Sequence, residues 1–170
     1  ILSHKHPFYI PEWTNEVHHE VELVVKIDRV GKTISEEHAP RYYSEIGLGL
    51  DLTARDVQMR LKANGHPWER AKAFDGSAVV GEFISLGDLG RDVQDLRFTL
   101  SNRDNILQEG CTQNMLFSVN QLIAEVSRFM TLKVGDLLFT GTPAGVAPVK
   151  SGDRLVGTLE GRDLFAVDIK

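Results

Sequence analysis

His18-His19-Glu20-Val21-Glu22-Leu23-Val24-Val25-Lys26-Ile27 is the stretch around which this chain is organised. At a period of two, Val21, Leu23, Val25 and Ile27 fall on one face and predict a strand packed on a core. The other face carries Glu20 and Glu22, followed by Val24 and Lys26. Two carboxylates side by side on a strand face repel each other unless water, a Lys or Arg, or a metal ion lies between them. Downstream, Ile46-Gly47-Leu48-Gly49-Leu50 reads as a second strand and ends in Asp51. If that end abuts the first strand, three carboxylates converge, a donor set suited to a hard cation of the Mg²⁺, Mn²⁺ or Ca²⁺ type. Alternating Glu on a strand is more often the mark of a solvated outer face, and Glu-x-Glu alone does not separate the two.

The 170-residue length suits one domain, residues 1–170, with a sizeable core. A hydrophobic content of 42% with 25% charged residues is that of an ordinary globular protein. The net charge of −5 gives no reason to expect a nucleic-acid partner. No apolar run has the length of a membrane span, and no signal-peptide pattern opens the chain. Cys111 is the one cysteine, which rules out an intrachain disulfide and is compatible with a cytoplasmic location. The chain begins at Ile1 without an initiator Met, which leads us to expect native sequence upstream.

Outward from the acidic strand, residues 1–14 hold Pro7 and Pro11 among Phe8, Tyr9 and Trp13, which predicts extended backbone pinned by aromatics. Ser35 is a candidate cap for a short helix through about Tyr43. Thr53-Ala54-Arg55-Asp56 reads as a helix start, with Thr53 at the N-cap in a variant capping box, and the helix should stop at Asn64-Gly65. Arg55 and Gln58 then share one face near Asp51. His66 to Ser77 reads as an aromatic-rich loop that contains Lys72. Val79 to Leu86 reads as a strand broken by Gly81, and Gly87 to Asp95 as a polar connection. A hairpin is expected with Ser101-Asn102-Arg103-Asp104-Asn105 at its turn. Ser118-Val119-Asn120-Gln121 is a capping box, and Val119, Leu122, Ile123, Val126, Phe129 and Met130 behind it recur at helical spacing, predicting a helix packed on the sheet. Leu137 to Thr140 is a further strand. It leads into Gly141-Thr142-Pro143-Ala144-Gly145-Val146, a loop that is either a tight structural turn or a set of amides able to receive an anion. Two strands, Arg154 to Leu159 and Asp163 to Ile169, close the chain.

Four pieces in register resemble the fumarylacetoacetate hydrolase family. They are His19-Glu20-Val21-Glu22, Asp51-Leu52-Thr53-Ala54-Arg55-Asp56-Val57-Gln58, Pro67-Trp68 with Lys72-Ala73-Phe74-Asp75, and Thr140-Gly141-Thr142-Pro143-Ala144-Gly145-Val146. The likeness runs from about Phe8 to the C-terminus. It implies an α+β, β-rich fold, with mixed sheets rolled around a metal site and a few packed helices, and a homodimer. It makes Glu20, Glu22 and Asp51 the ligands of a Mg²⁺ or Mn²⁺ ion, with Ca²⁺ a further candidate. It places Arg55, Gln58, Lys72 and Thr142 on the substrate and makes Lys72 catalytic. The chemistry suits that set, because Lys72 and Arg55 offset the excess negative charge of three carboxylates and a carboxylate-bearing substrate. The implied activity is metal-dependent cleavage of a carbon–carbon bond in a small acylpyruvate or related β-diketo or 2-oxo acid, through a stabilised enolate. Alternatives on the same site are decarboxylation or tautomerisation of oxaloacetate, isomerisation of an unsaturated dicarboxylic acid, or binding of an oxo acid without turnover. Short members of the family carry an N-terminal lid whose His and Glu activate the hydrolytic water, and this chain is expected to lack it, since neither His4 nor His6 has the required neighbours. Where the family's loop continues with Gly, this chain has Ala147, which would be strained at positive φ.

Overall fold

The computed structural model describes residues 1–103 and 105–170; Asp104, in the predicted hairpin turn, lies outside the described residues. In chain order the strands are β1 (Leu2–Ser3), β2 (Val17–His19), β3 (Val21–Ile27), β4 (Tyr43–Asp51), β5 (Thr53–Ala54) and β6 (Ala78–Ser85). They continue as β7 (Arg97–Asn102), β8 (Asn105–Cys111), β9 (Leu137–Phe139), β10 (Ala147–Pro148), β11 (Arg154–Leu159) and β12 (Arg162–Asp168). The helices are α1 (Arg55–Ala63), α2 (Glu69–Lys72), α3 (Leu86–Leu89) and α4 (Val119–Phe129).

This is a strand-rich α+β architecture of three sheets. A five-stranded sheet runs in the order β1-β6-β4-β3-β9, a four-stranded sheet in the order β12-β11-β7-β8, and a three-stranded sheet in the order β10-β2-β5. The β-rich α+β fold expected from the sequence is the one observed, and the sheets are open. The large one ends on the short strands β1 and β9, which pair only with β6 and β3. The main core lies between the large and the four-stranded sheets, where Leu48, Leu50, Leu100, Leu155 and Leu159 are fully buried. Gly81 does not break β6. It sits where the second sheet crosses, and a Cβ there would lie 2.8 Å from the Leu164 carbonyl oxygen and 2.9 Å from that of Leu48. The apparent strand breaker is a point of close approach.

Strand β3 is buried on both faces, including Glu22. The solvated-face alternative for its acidic residues is thereby excluded. Val21, Leu23 and Val25 on one face and Glu22 and Val24 on the other are all buried, so neither face is left to water there.

Other local expectations fare unevenly. The segment after Ser35 is a 3₁₀ helix, Glu36–Arg41, rather than an α-helix. Pro40 lacks an N–H for a longer helical ladder, and the Ser35 hydroxyl pairs with His38 Nδ1 at 2.9 Å instead of capping the backbone. Residues 66–77 are not wholly loop, since they contain α2. The Ser118 capping box forms as expected, with both of its reciprocal bonds present. Helix α4 buries Val119, Ile123 and Ser127 and packs on the 3₁₀ helix, while Phe129 and Met130 are 71% and 65% exposed. Phe129 ends the helix beyond the surface that covers it, and Met130, expected within the helix, is its extended C-cap. Ala147 sits in β10 without positive φ, so the substitution for Gly introduces no strain there.

The division along α4 gives a direct stability test. Ile123→Ala is expected to cost about 2–5 kcal/mol, whereas Phe129→Ser should stay within about 0.5 kcal/mol of the parent. Urea midpoints of both variants check this, and comparable losses would contradict the packing described for the helix.

Candidate functional site

The site forms at a seam between two sheets. Strands β3 and β4 pair in the large sheet with Val21 opposite Leu50, while their neighbours in sequence, β2 and β5, pair in the small sheet with His18 opposite Thr53. Both runs of chain therefore cross between sheets at the same level, through Glu20 on one side and Asp51 and Leu52 on the other. The Asp51 amide donates to the Glu20 carbonyl at 2.9 Å, which locks the two crossing points side by side. Glu22 follows one alternation later, opposite Gly49. Oxygens of Glu20, Glu22 and Asp51 come within 4.8 Å of one another, with both Glu residues buried.

Two cations reach this cluster from the helical side. Lys72, the last residue of α2, donates through Nζ to Glu20 Oε2 (2.8 Å), Asp51 Oδ2 (2.6 Å) and Thr53 Oγ1 (2.7 Å). Arg55, the first residue of α1, donates through Nη2 to Glu20 Oε1 and through Nη1 to Gln58 Oε1 at 2.5 Å. Gln58 thus orients the guanidinium from the next turn of the helix, in line with the i, i+3 spacing. A satellite core of Ala54, Val57 and Ala71, with Leu61 and Phe74 against it, fixes α2 on α1. The Ser77 hydroxyl holds the Lys72 carbonyl at 2.7 Å.

The helix start differs from the expected capping box. Thr53 is fully buried in β5, its hydroxyl receives Lys72, and Ala54 occupies the N-cap position without a side-chain cap. A hydroxyl that accepts an ammonium proton inside the site is not available to the helix amides. Asp56 instead accepts from the Val57 amide and from the Thr14 hydroxyl, tying the N-terminal segment to α1.

Charge is unevenly neutralised across the trio. Burial works against ionised Glu20, but Lys72 and Arg55 outweigh it and hold the carboxyl below its ordinary range. Burial raises Asp51, and Lys72 only partly opposes this. Glu22 is pushed up to about 7, first by burial and then by the charges of Asp51 and Glu20; the Gly141 amide, donating to Oε2 at 2.6 Å, acts the other way. Burial would deprotonate Lys72, yet its bonds to Asp51 and Glu20 raise it instead, so the amine is held as a charged ammonium. An all-oxygen trio this close, partly buried and still carrying surplus negative charge, fits a hard divalent cation.

The structure brings together Glu20, Glu22, Asp51, Lys72, Arg55 and Gln58. Thr142 is nearby but its hydroxyl is engaged elsewhere. It donates to the Val21 carbonyl at 2.9 Å and accepts from Gln108 Nε2 at 2.9 Å. The loop that reads in sequence as either a tight turn or a set of anion-receiving amides gives one amide, at Gly141, to the protein's own Glu22. Two participants escape a reading of the sequence. Thr53 reads there as a helix cap, and Gln108 lies in a hairpin strand whose alternation, Ile106, Gln108, Gly110, carries no sign of an inward face.

A family model described as Fumarylacetoacetate (FAA) hydrolase C-terminal matches residues 1–168. Oxaloacetate tautomerase YcgM of Escherichia coli (strain K12) is 43% identical over 160 residues, covering 94% of this chain and 73% of that protein. The mitochondrial oxaloacetate tautomerase FAHD1 of Bos taurus is 39% identical over 155 residues, covering 91% of this chain and 70% of its own. Among solved structures, a fumarylpyruvate hydrolase from Pseudomonas aeruginosa, in complex with Mn²⁺ and pyruvate, superposes with a TM-score of 0.91 at 34% identity. That match covers 99% of this chain and 72% of the other.

The elevated Glu22 carboxyl makes metal-free stability depend on pH. The folded protein keeps this proton to about pH 7, whereas an ordinary Glu loses it near 4.5. Its contribution is therefore fully present below pH 4.5 and is lost as pH rises through about 7. With chelator present, Glu22→Gln should match the parent in denaturation midpoint at about pH 4 and exceed it at about pH 8, each to one side of that window. A difference that does not change between the two pH values would count against the assignment.

Proposed function

Because this chain is an enzyme that belongs to the fumarylacetoacetate hydrolase family, we propose that it interconverts the keto and enol forms of a small 2-oxo dicarboxylic acid of the oxaloacetate type, with Mg²⁺ or Mn²⁺ held by Glu20, Glu22 and Asp51. The observation that carries this is the convergence of those three carboxylates with the Lys72 ammonium and the Arg55 guanidinium on one seam. The sequence places carbon–carbon bond hydrolysis first and tautomerisation among its alternatives. The tautomerase names of the relatives favour the alternative. The two reactions pass through the same enolate, and the motifs that are legible in sequence serve that shared part.

A divalent ion supplies Lewis acidity toward the carbonyl and carboxylate oxygens of a 2-oxo acid, which acidifies its C3 protons. The protein's own residues set the charge and geometry around it. Three carboxylates against two cations leave one net negative charge, which a divalent ion converts to one net positive charge, suited to an anionic substrate. Arg55, oriented by Gln58, presents a planar fork that matches a carboxylate. Lys72, held charged by Asp51 and Glu20, serves as a positive charge and proton donor toward an enolate oxygen rather than as a base. Keto-to-enol tautomerisation moves one proton from C3 to oxygen without adding water across a bond: solvent water accepts the C3 proton, Lys72 gives one to the enolate oxygen, and the amine regains its proton from solvent. Its requirements are met by stabilising the oxyanion and moving a proton.

The test monitors the enol absorbance of oxaloacetate with protein and Mn²⁺, against Mn²⁺ alone. Enol–keto exchange should accelerate, and chelator or Asp51→Asn should return it to the rate with the ion alone. Lys72→Met should lower kcat/KM by about 10²-fold while shifting the denaturation midpoint little. Acceleration that survives both chelator and Asp51→Asn would overturn the proposal. Cleavage of acetylpyruvate faster than exchange of oxaloacetate would return the hydrolase reading to first place.

A further inference from the structure

We propose that Gln108 is a positioning residue, a buried carboxamide on the opposing sheet that clamps the Gly141–Pro143 loop to the acidic strand and so keeps Glu22 aimed at the cation. The inference rests on the metal-site reading above and concerns a residue that touches none of the three carboxylates. Strand β9 pairs with β3 only from Val24 to Lys26. Beyond that point the edge of β3 from Val21 to Leu23 has no strand beside it on that side among the described residues. One main-chain bond remains, from the Thr140 amide to the Leu23 carbonyl at 3.2 Å, and side chains complete the rest. Thr140 donates its hydroxyl to the Leu23 carbonyl at 2.9 Å, Thr142 donates to the Val21 carbonyl at 2.9 Å, and Gln108 Oε1 accepts from the Val21 amide at 3.0 Å.

Gln108 closes this arrangement into a ring. It is only 2% exposed. Its Oε1 also accepts from His19 Nδ1 at 2.8 Å, and its Nε2 donates to Thr142 Oγ1 at 2.9 Å and to the Pro143 carbonyl at 3.1 Å. Both acceptor sites and both donor protons of the carboxamide are thus used. The opposite orientation would set its NH₂ against the Val21 N–H and its oxygen against the Pro143 carbonyl, so the network admits one orientation. The partners are the immediate neighbours of the site residues. His19 precedes Glu20, Val21 separates Glu20 from Glu22, and Thr142 follows Gly141, whose amide holds Glu22 at 2.6 Å. The loop is also shaped to reach Gln108. Gly145 has φ of +102°, and a Cβ there would lie 2.6 Å from the Leu107 carbonyl oxygen and 3.2 Å from Gln108 Cγ. Loss of the carboxamide would free the loop and loosen the hydrogen bond that orients Glu22.

Groups that orient a metal ligand from behind commonly change metal affinity or activity by about 10–100-fold when removed. Gln108→Met keeps the length of the side chain and removes its hydrogen bonds. Two measurements read the result: amide hydrogen exchange at Gly141 in metal-free protein, and Mn²⁺ affinity by titration. Ile123→Ala, remote on α4, controls for a general loss of stability. The expected result for Gln108→Met is faster Gly141 exchange than in Ile123→Ala at matched stability, with Mn²⁺ affinity weakened about 10–100-fold and that of Ile123→Ala unchanged. Parent-like Mn²⁺ affinity, or Gly141 exchange no faster than in the control, would overturn the proposal. Should Gln108→Met fail to fold, Gln108→Glu keeps the acceptor toward Val21 and His19 and loses both donors to Thr142 and Pro143, which severs only the loop side of the ring; Gly141 exchange no faster than in the control would again be fatal. If the parent itself binds no Mn²⁺, the metal-site reading fails, and Gly141 exchange in metal-free protein alone decides whether the clamp exists.

Discussion

Three carboxylates within 4.8 Å of one another, two of them on fully enclosed stretches of chain, are the constraint to which the surrounding structure answers. Burial and mutual repulsion both disfavour their ionised forms. The chain resolves this asymmetrically. Lys72 and Arg55 converge on Glu20 and Lys72 also serves Asp51, whereas Glu22 receives only a backbone amide among the described residues. The trio is consequently divided into a well-neutralised end and a strained one, with Glu22 raised to about 7. Such a gradient leaves a defined place where added positive charge relieves the most repulsion.

Satisfying that constraint requires parts that a sheet alone does not supply. The two cations come from helix ends, Lys72 from the last residue of α2 and Arg55 from the first of α1. Neither helix is held by the main core. Their own small cluster of Ala54, Val57 and Ala71 sets the distance between ammonium and guanidinium. On the other flank, β9 ends at Phe139, one further main-chain bond runs from Thr140 to Leu23, and hydroxyl and carboxamide groups serve the backbone positions beyond it. Side-chain bonds replacing a strand allow the loop to bend toward Glu22, which a continuous β ladder would forbid.

The relatives bear both hydrolase and tautomerase names. On the reading proposed above, a seam of carboxylates with an adjoining ammonium and guanidinium would act on the 2-oxo-acid half of a substrate, the half that the two chemistries have in common. The fate of the enolate, once formed, depends on groups that reach the other half. On that reading Glu20, Glu22, Asp51 and Lys72 would specify a chemical step more narrowly than a net reaction.

From the sequence alone, the alternation of Val21, Leu23, Val25 and Ile27 determined the central strand, and Ser118 with Gln121 determined the start of α4, because both patterns are local and periodic. The spacing of Arg55 and Gln58 likewise determined a shared helical face. Sequence also put Glu20, Glu22 and Asp51 forward as a set, but it left open whether they faced solvent. Only the tertiary structure decided that, since burial of β3 on both faces depends on neighbours far along the chain. The same holds for Thr53, which reads as a helix cap until Lys72 is brought to its hydroxyl. It holds for Phe129, whose helical spacing is genuine but whose cover runs out, and for Met130, which the structure leaves in extended backbone just past the helix. Gln108 is the clearest case. A glutamine in a polar hairpin strand carries no local mark of importance, and its four hydrogen bonds exist only because one sheet sets it against the edge of another. Periodicity records what a residue does within its own element, whereas a contact between elements is written in no single stretch of sequence.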